Sequence, residues 1–464
     1  MKILLSLAMA VCVASGQRLV TLNLSARDAQ GHAVTDLTAA DLEVTDQGKT
    51  APILSFRNEA LRSPAVAREY SNRPAPALSQ IQVILFDMLN LSQSSRQTTI
   101  DQTVKALESL PAADSVYFYL LNLYGELVPV RALPDAAPSP TPAATPWTKD
   151  IRALLDKAAG PVAVVHTPIE RDVMLRVQRS YAALETLAVR MMPLPGRKNI
   201  LWTTIGVPCS IPTENGQIWD CRETLGKIAT RLNQADVAVN PVALQAGTAD
   251  VESAITLQQF ADITGGKTYS ADIEHAVADC IDGARSSYRL KYAPAANNWD
   301  GKQHKVHVTS SRKGVTILAP QSYTADKAAP AANTKERNAA LFAAPFDVSD
   351  IGLSVAAGPG AQPHSLHMRI GMDIQDLLLA PQADKFALQL TFTVAAFLAD
   401  NKVQNYDPLP VNAMLTPEQR TKMSRDGLHL GHDVTLPEGA RKVRLLVEDR
   451  AGNSVGTVTI PLGQ

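Results

Sequence analysis

The sequence predicts an α/β domain set between two β modules, and three observations carry that expectation. The apolar run at 81–86 has the composition of a strand covered on both faces, and the mainly apolar segments 115–123, 199–206 and 237–244 read as further strands of the same kind. Between them stand stretches whose apolar residues recur every three or four positions, the period of a helix with one buried face. On either side the pattern changes to alternation, the period of a half-buried strand.

Taken in order, residues 1–16 set Lys2 before an apolar run from Ile3 to Val13, followed by the small residues Ala14, Ser15 and Gly16. That is the pattern of a secretory signal peptide, so a secreted or periplasmic mature chain is expected from Gln17. The run is too short to cross a membrane and no later stretch reaches ~18 apolar residues, so no transmembrane span is expected. Cys12 opens the alternative of a lipid-anchored precursor, against which the bulky Val11 stands. In an N-terminal β module at 17–60, Val20, Leu22, Leu24 and Ala26 alternate with polar residues, and Asp41 to Gly48 reads as a strand ending in a turn. Pro64, Pro74 and Pro76 mark 61–80 as a linker.

The α/β domain is expected over 81–295. Strand 81–86 ends at Asp87, a helix follows over 92–110, and then strand 115–123. Five prolines between Arg131 and Pro146 make that stretch a surface insertion. Val177, Tyr181, Leu184, Ala188 and Met191 place one apolar face on a helix over 172–192, which Pro193 and Pro195 stop. Strand 199–206, helix 217–234, strand 237–244 and helix 251–263 complete the alternation, and Gly265-Gly266 supplies the left-handed close of the last helix. A β extension at 296–323, a linker at 324–343 rich in Ala, Pro, Lys and Asn, and a C-terminal β-sandwich at 344–464 follow.

Composition narrows the function classes. The 44 basic residues balance 45 acidic ones for a net charge of −1, so the chain has no polyanion footprint and nucleic acid is not an expected partner. Past the signal only Cys209, Cys221 and Cys280 remain. In an oxidising compartment Cys209 and Cys221, close in sequence, are the candidate disulfide; three inert buried thiols are the alternative.

The succession QVILFDMLN (82–90), LPGRKNILW (194–202), LQQFADITGGKTY (257–269), YRLKYAP (288–294) and DGKQHKVHV (300–308) resembles the acidobacterial family of von Willebrand factor A-like domain proteins, and LTAADLEVTDQGK (37–49) looks like the β segment that precedes the domain there. The resemblance implies an α/β, Rossmann-like von Willebrand factor A-type domain with an N-terminal β module and a C-terminal β-sandwich. It also implies export and adhesive or ligand-binding work, with no established reaction. Metal-competent A domains end their first strand in Asp-x-Ser-x-Ser, completed by a distant Thr and Asp as hard oxygen ligands for Mg²⁺ or Ca²⁺. Here Asp87 is present, but Leu89 and Leu91 occupy the two Ser positions, Thr167 is a candidate for the distant Thr, and Thr203 or Thr204 stands where the Asp is expected. A degenerate site that holds no cofactor is the expectation, with Asp87 and Thr167 the weak metal candidates for Mg²⁺ or Ca²⁺.

Other chemistries find less support. Met88 to Leu91 contains no glycine for a phosphate-cradling turn, and Gly-x-Ser-x-Gly is absent. The pairs His304/His307 and His364/His367 fall in strand patterns, where an offset of three sends side chains to opposite faces; His429/His432 flanks a Leu-Gly loop. The expected function is an exported, non-enzymatic protein-binding, adhesion or scaffolding module with an extracellular or envelope protein partner. Asp87, Asn90, Ser92 and Thr204 are expected to line a crevice beyond the carboxyl ends of the strands. A structural envelope component, or a hydrolase whose groups converge only in space, are the alternatives.

Overall fold

Residues 18–58, 69–72, 81–110, 116–133, 148–160, 169–192, 194, 197–213, 215–244, 251–283, 286–294, 298–325, 327, 334–344, 347–398, 402–452 and 454–462 are described by a computed structural model. The expected signal 1–16, Thr167 and most of the proline-rich insertion lie outside these residues.

Among the described residues 26 strands and eight α-helices build six separate sheets, and this corrects the expected fold class. The chain is predominantly β and does not have the α/β, Rossmann-like A-type layout. Parallel pairing is confined to one sheet, and even that sheet ends in an antiparallel edge strand, Leu127–Arg131. The apolar runs that prompted the expectation are strands, but of this sheet alone. The alternating segments around it pair antiparallel with one another over a larger part of the chain.

In the mixed sheet the strand order is Tyr269–Ser270, Val237–Ala243, Lys198–Thr204, Ile81–Asp87, Val116–Leu121, Leu127–Arg131. Alternation sends Val83, Leu85, Tyr119 and Trp202 to one face, where Tyr181, Leu184 and Ala188 of helix Ile169–Met191 cover them with Leu225 and Phe260. Ile84, Phe86, Phe118 and Leu120 meet Ile100, Val104, Leu155 and Val277 on the other. Both faces are therefore dry, which is why the strand sequences are mainly apolar. Gly265 closes helix Val251–Thr264 at φ +72°, and a β-carbon there would sit 2.6 Å from Ala319 and Pro320 backbone atoms, so both conformation and space require glycine.

The expected module 17–60 and extension 296–323 are one body. Strand Val20–Arg27 pairs with Tyr288–Tyr292, which pairs on its other edge with Ile53–Asn58. A second sheet interleaves Gln303–Ser310 with Leu42–Asp46. Leu22, Leu24, Val44, Tyr288, Leu290, Tyr292 and Val306 fill the space between the two sheets, and the mixed-sheet domain is inserted between the strands of this first sandwich.

The C-terminal β-sandwich stacks the sheet of Leu353–Pro359, Ser365–Met372 and Leu428–Thr435 on that of Lys385–Leu398, Ala440–Asp449 and Ser454–Pro461 over a core that includes Val355, Ile370, Leu390 and Leu445. Its first sheet takes an edge strand, Glu69–Ser71, from the expected linker 61–80, and the expected linker 324–343 carries helix Thr334–Ala343. The two sandwiches meet through charge. Tyr288, Leu290 and Tyr292 face the first core, whereas Arg289 and Lys291, with Arg57 of the neighbouring strand, are buried against the second unit. There Arg57 pairs with Asp376, Arg289 Nη1 lies 3.4 Å from Asp350, and Lys291 Nζ donates to the Asp376 carbonyl at 3.3 Å and to Ser454.

Candidate functional site

Asp87 ends the strand that lies in the middle of the mixed sheet. Because Leu85 is in register with Trp202 and Phe86 with Thr203, the next residue along each strand brings Asp87 beside Thr204. The chain then turns through Met88 to Leu91, and the Asn90 backbone N–H folds back onto Asp87 Oδ1 at 3.2 Å. Asp87 Oδ2 accepts from Asn90 Nδ2 at 2.7 Å, Thr204 Oγ1 at 2.9 Å and Trp202 Nε1 at 3.0 Å. Asn90 Nδ2 also reaches Ser180 Oγ at 2.8 Å, which links the turn to helix Ile169–Met191.

The carboxylate is fully buried, and that burial pushes its pKa up, partly offset by the hydrogen bonds from Asn90, Thr204 and Trp202. Asp87 therefore ties together two strand ends, a turn and a helix. Three of the four expected crevice residues, Asp87, Asn90 and Thr204, do converge, but all are buried and bonded to one another, so they do not line a crevice open to solvent. The physical reason is that Leu89 packs against the core beside them and Leu91 is itself buried. Ser92 instead serves the next helix, where its hydroxyl accepts from Ser95 N at 3.3 Å and caps Gln93–Glu108.

This donor set does not suit Mg²⁺ or Ca²⁺. Such ions require oxygen acceptors, whereas Asp87 faces N–H groups of Asn90 and Trp202. Thr203 bonds the Leu85 carbonyl at 3.3 Å, away from the carboxylate. Among the described residues no three His, Cys, Asp or Glu side chains gather as metal ligands. His304 is buried and 3.1 Å from Asp300, while His307 points to solvent from the opposite face of the same strand. Trp202 and Ser180 were not singled out by sequence; parallel register would have placed Trp202 two residue pairs from Asp87, on the same face of the sheet.

The carboxyl end of the sheet does present exposed apolar side chains. The three most exposed large hydrophobic residues among those described, Val251 at 69%, Ile218 at 65% and Tyr124 at 64%, all follow strands of the mixed sheet on this side. Tyr124 sits in a turn in which Asn122 Oδ1 accepts from Tyr124 N and Glu126 N, each at 2.9 Å, and Arg179 bonds the Tyr124 carbonyl. Val251 opens helix Val251–Thr264. Ile218 lies on the hairpin Ser210–Pro212/Ile218–Asp220, whose base is closed by a disulfide between Cys209 and Cys221. Tyr181 Oη packs against the bridge, 3.1 Å from Cys221 Sγ, so the hairpin is anchored to the core helix. Cys280 remains a free, buried thiol whose pKa is pushed up to about 12 by that burial.

No helix among the described residues is long and apolar enough to cross a membrane. No protein-family model matches the chain, and no curated protein matches it. Among solved structures, the pilus adhesin SpaC from Lactobacillus rhamnosus GG aligns over 92% of this chain and 58% of its own at 9% identity, with a TM-score of 0.29. This chain thus spans little more than half the length of that adhesin, and at that score the likeness carries no argument.

Proposed function

We propose that the protein is an exported, non-enzymatic binding module of adhesive or scaffolding type that meets an extracellular or envelope protein with the carboxyl end of its mixed sheet. The observation that carries this reading is that Tyr124, Ile218 and Val251, the most exposed large apolar side chains among the described residues, all lie on segments that follow strands at one end of one sheet: a turn, a hairpin strand and the start of a helix. Isolated exposed apolar residues mean little, but such residues held on braced loops are what a protein contact uses. The disulfide at the base of the hairpin fits an oxidising compartment. The N–H-rich surroundings of Asp87 support contact without a bridging cation.

A photo-crosslinking residue placed at Ile218, and separately at Leu54 as an exposed control, tests this on whole producing cells. The expected result is one discrete adduct from position 218 that weakens when Val251→Ser is added. Equal labelling from both positions would defeat the reading.

A further inference from the structure

Helix Ile169–Met191 covers the mixed sheet with one face and turns the opposite face to solvent. Val177, Tyr181, Leu184, Ala188 and Met191 point into the core. At about 100° per residue, Leu175, Ala182 and Val189 stand within roughly 40° of one another, opposite that buried face. Leu175, Val189 and Met192, the residue just past the helix, are each about half exposed, and Ala182 is exposed between the first two. An apolar stripe repeating every seven residues on the outer side of a helix has the spacing of a two-helix coiled-coil seam.

The stripe is complementary to itself. A two-fold axis crossing the helix at Ala182 brings Leu175 of one copy level with Val189 of the other, because each stands seven residues, or about 10 Å, from Ala182. Ala182 meets its own counterpart, and so small a side chain lets the helix axes approach to ~8 Å, the close end of helix packing. On one flank of the seam Asp172 comes within ~3 Å in height of Arg190 of the second copy. Asp172 is half exposed and pairs on its own helix with Arg176 at 3.0 Å, and Arg190 is exposed, its guanidinium 5.9 Å from the Tyr119 ring centre. On the other flank the Gln178 amide comes level with Glu185 of the second copy, and Met192 with its Met174. Opposite charges and apolar pairs thus meet along the whole seam.

We propose that two copies of this chain pair antiparallel through this helix, with Ala182 on the two-fold axis. Such a pairing uses one patch on both subunits, so every off-axis contact occurs twice. A single helix face is a small interface, which sets the expected Kd at ~10 μM. Near one end of the helix Arg179 bonds the carbonyl of Tyr124, and beyond the other the Leu194 carbonyl accepts from Lys198, the first residue of its strand. The helix therefore runs from the carboxyl to the amino end of the sheet, and the pairing turns the two carboxyl ends in opposite directions. That these ends are partner-binding faces, which makes the pair bivalent, rests on the function proposed above; the pairing itself does not.

Sedimentation velocity on the full chain from ~1 to ~200 μM tests the pairing. The expected result is a monomer–dimer equilibrium weakened at least about tenfold by Ala182→Glu and by Asp172→Arg, recovered by Asp172→Arg/Arg190→Asp, and unchanged by Leu54→Ser on the first sandwich. These positions are all exposed, and unchanged melting temperatures would show that the variants fold. Under mild oxidation Ala182→Cys should give a dimer bridged through position 182 of both copies, whereas Ser424→Cys on the exposed helix Pro417–Asp426 should stay monomeric. A chain that stays monomeric across the range overturns the proposal, and so does a dimer that survives Ala182→Glu or fails to bridge through position 182.

Discussion

Replacing Asp376 by Asn removes one charge from the buried contact between the two sandwiches while keeping the side chain's shape. Asp376 and Arg57 have side chains only 2% and 6% exposed, and Asp376 Oδ2 also accepts from Gly352 N at 2.8 Å. The variant keeps an acceptor for Gly352 but leaves the Arg57 guanidinium buried opposite a neutral amide. Breaking a buried pair from one side costs about 3–5 kcal/mol, because the surviving charge stays stripped of water once its counter-charge is gone. At about 1.4 kcal/mol per tenfold, that shifts the equilibrium between closed and parted sandwiches by a factor of roughly 100 to 3,000. Calorimetry should resolve an early transition assigned to the junction, and limited proteolysis at low temperature should cut the variant before the wild type. The double variant Arg57→Met/Asp376→Leu removes both charges and should recover most of the loss. A single variant within about 0.5 kcal/mol of wild type, or a double variant as weak as the single one, would refute the reasoning.

Three further outcomes are expected. Cys209→Ser/Cys221→Ser should lose about 2–3 kcal/mol and expose the 213–217 turn to proteases, while Cys280 in the native protein stays inert to thiol reagents; rapid labelling of one thiol would contradict its burial. Asp87→Asn turns an amide N–H toward the Asn90 backbone donor and should cost about 1–3 kcal/mol in urea unfolding, whereas millimolar Mg²⁺ or Ca²⁺ should leave the wild-type melting temperature unchanged. Burial pushes Lys198 and Lys291 down to about 8 from their ordinary 10.5. Between those values the unfolded chain binds more protons, so these lysines make stability rise with pH, by up to ~1.4 kcal/mol per unit each. Lys291→Met should flatten that slope in urea titrations from pH 8 to 9.5, and equal slopes would reject the assignment.

Local structure was legible where one physical rule dominated. The apolar run from Ile81 appears as strand Ile81–Asp87, and the spacing from Val177 to Met191 as helix Ile169–Met191. Pairing between distant segments was not legible, and the fold-class expectation failed there. Nothing in the spacing of Val20 to Ala26 reveals that its partner is Tyr288–Tyr292, because alternation specifies a face and not a neighbour. Arg289 and Lys291 alternate with Tyr288, Leu290 and Tyr292, yet a second sandwich covers them as well. At the candidate site the sequence offered Asp87, Asn90 and Thr204, and the structure joins them. It also encloses them, because burial depends on Leu89, Leu91 and a helix from another part of the chain.

The interleaving of the first sandwich governs how the chain matures. Ala26 bonds Ser286 across 260 residues of sequence, so its strand waits without a permanent neighbour while the whole inserted domain is made. Contacts so far apart form slowly, and an unpaired strand invites the wrong partner meanwhile. The inserted domain must condense first and bring Tyr288–Tyr292 back to the waiting strand. A chain ending near residue 283 would hold a nearly finished interior and a naked, aggregation-prone leading edge, which makes the return of that late strand the committing event in its biogenesis.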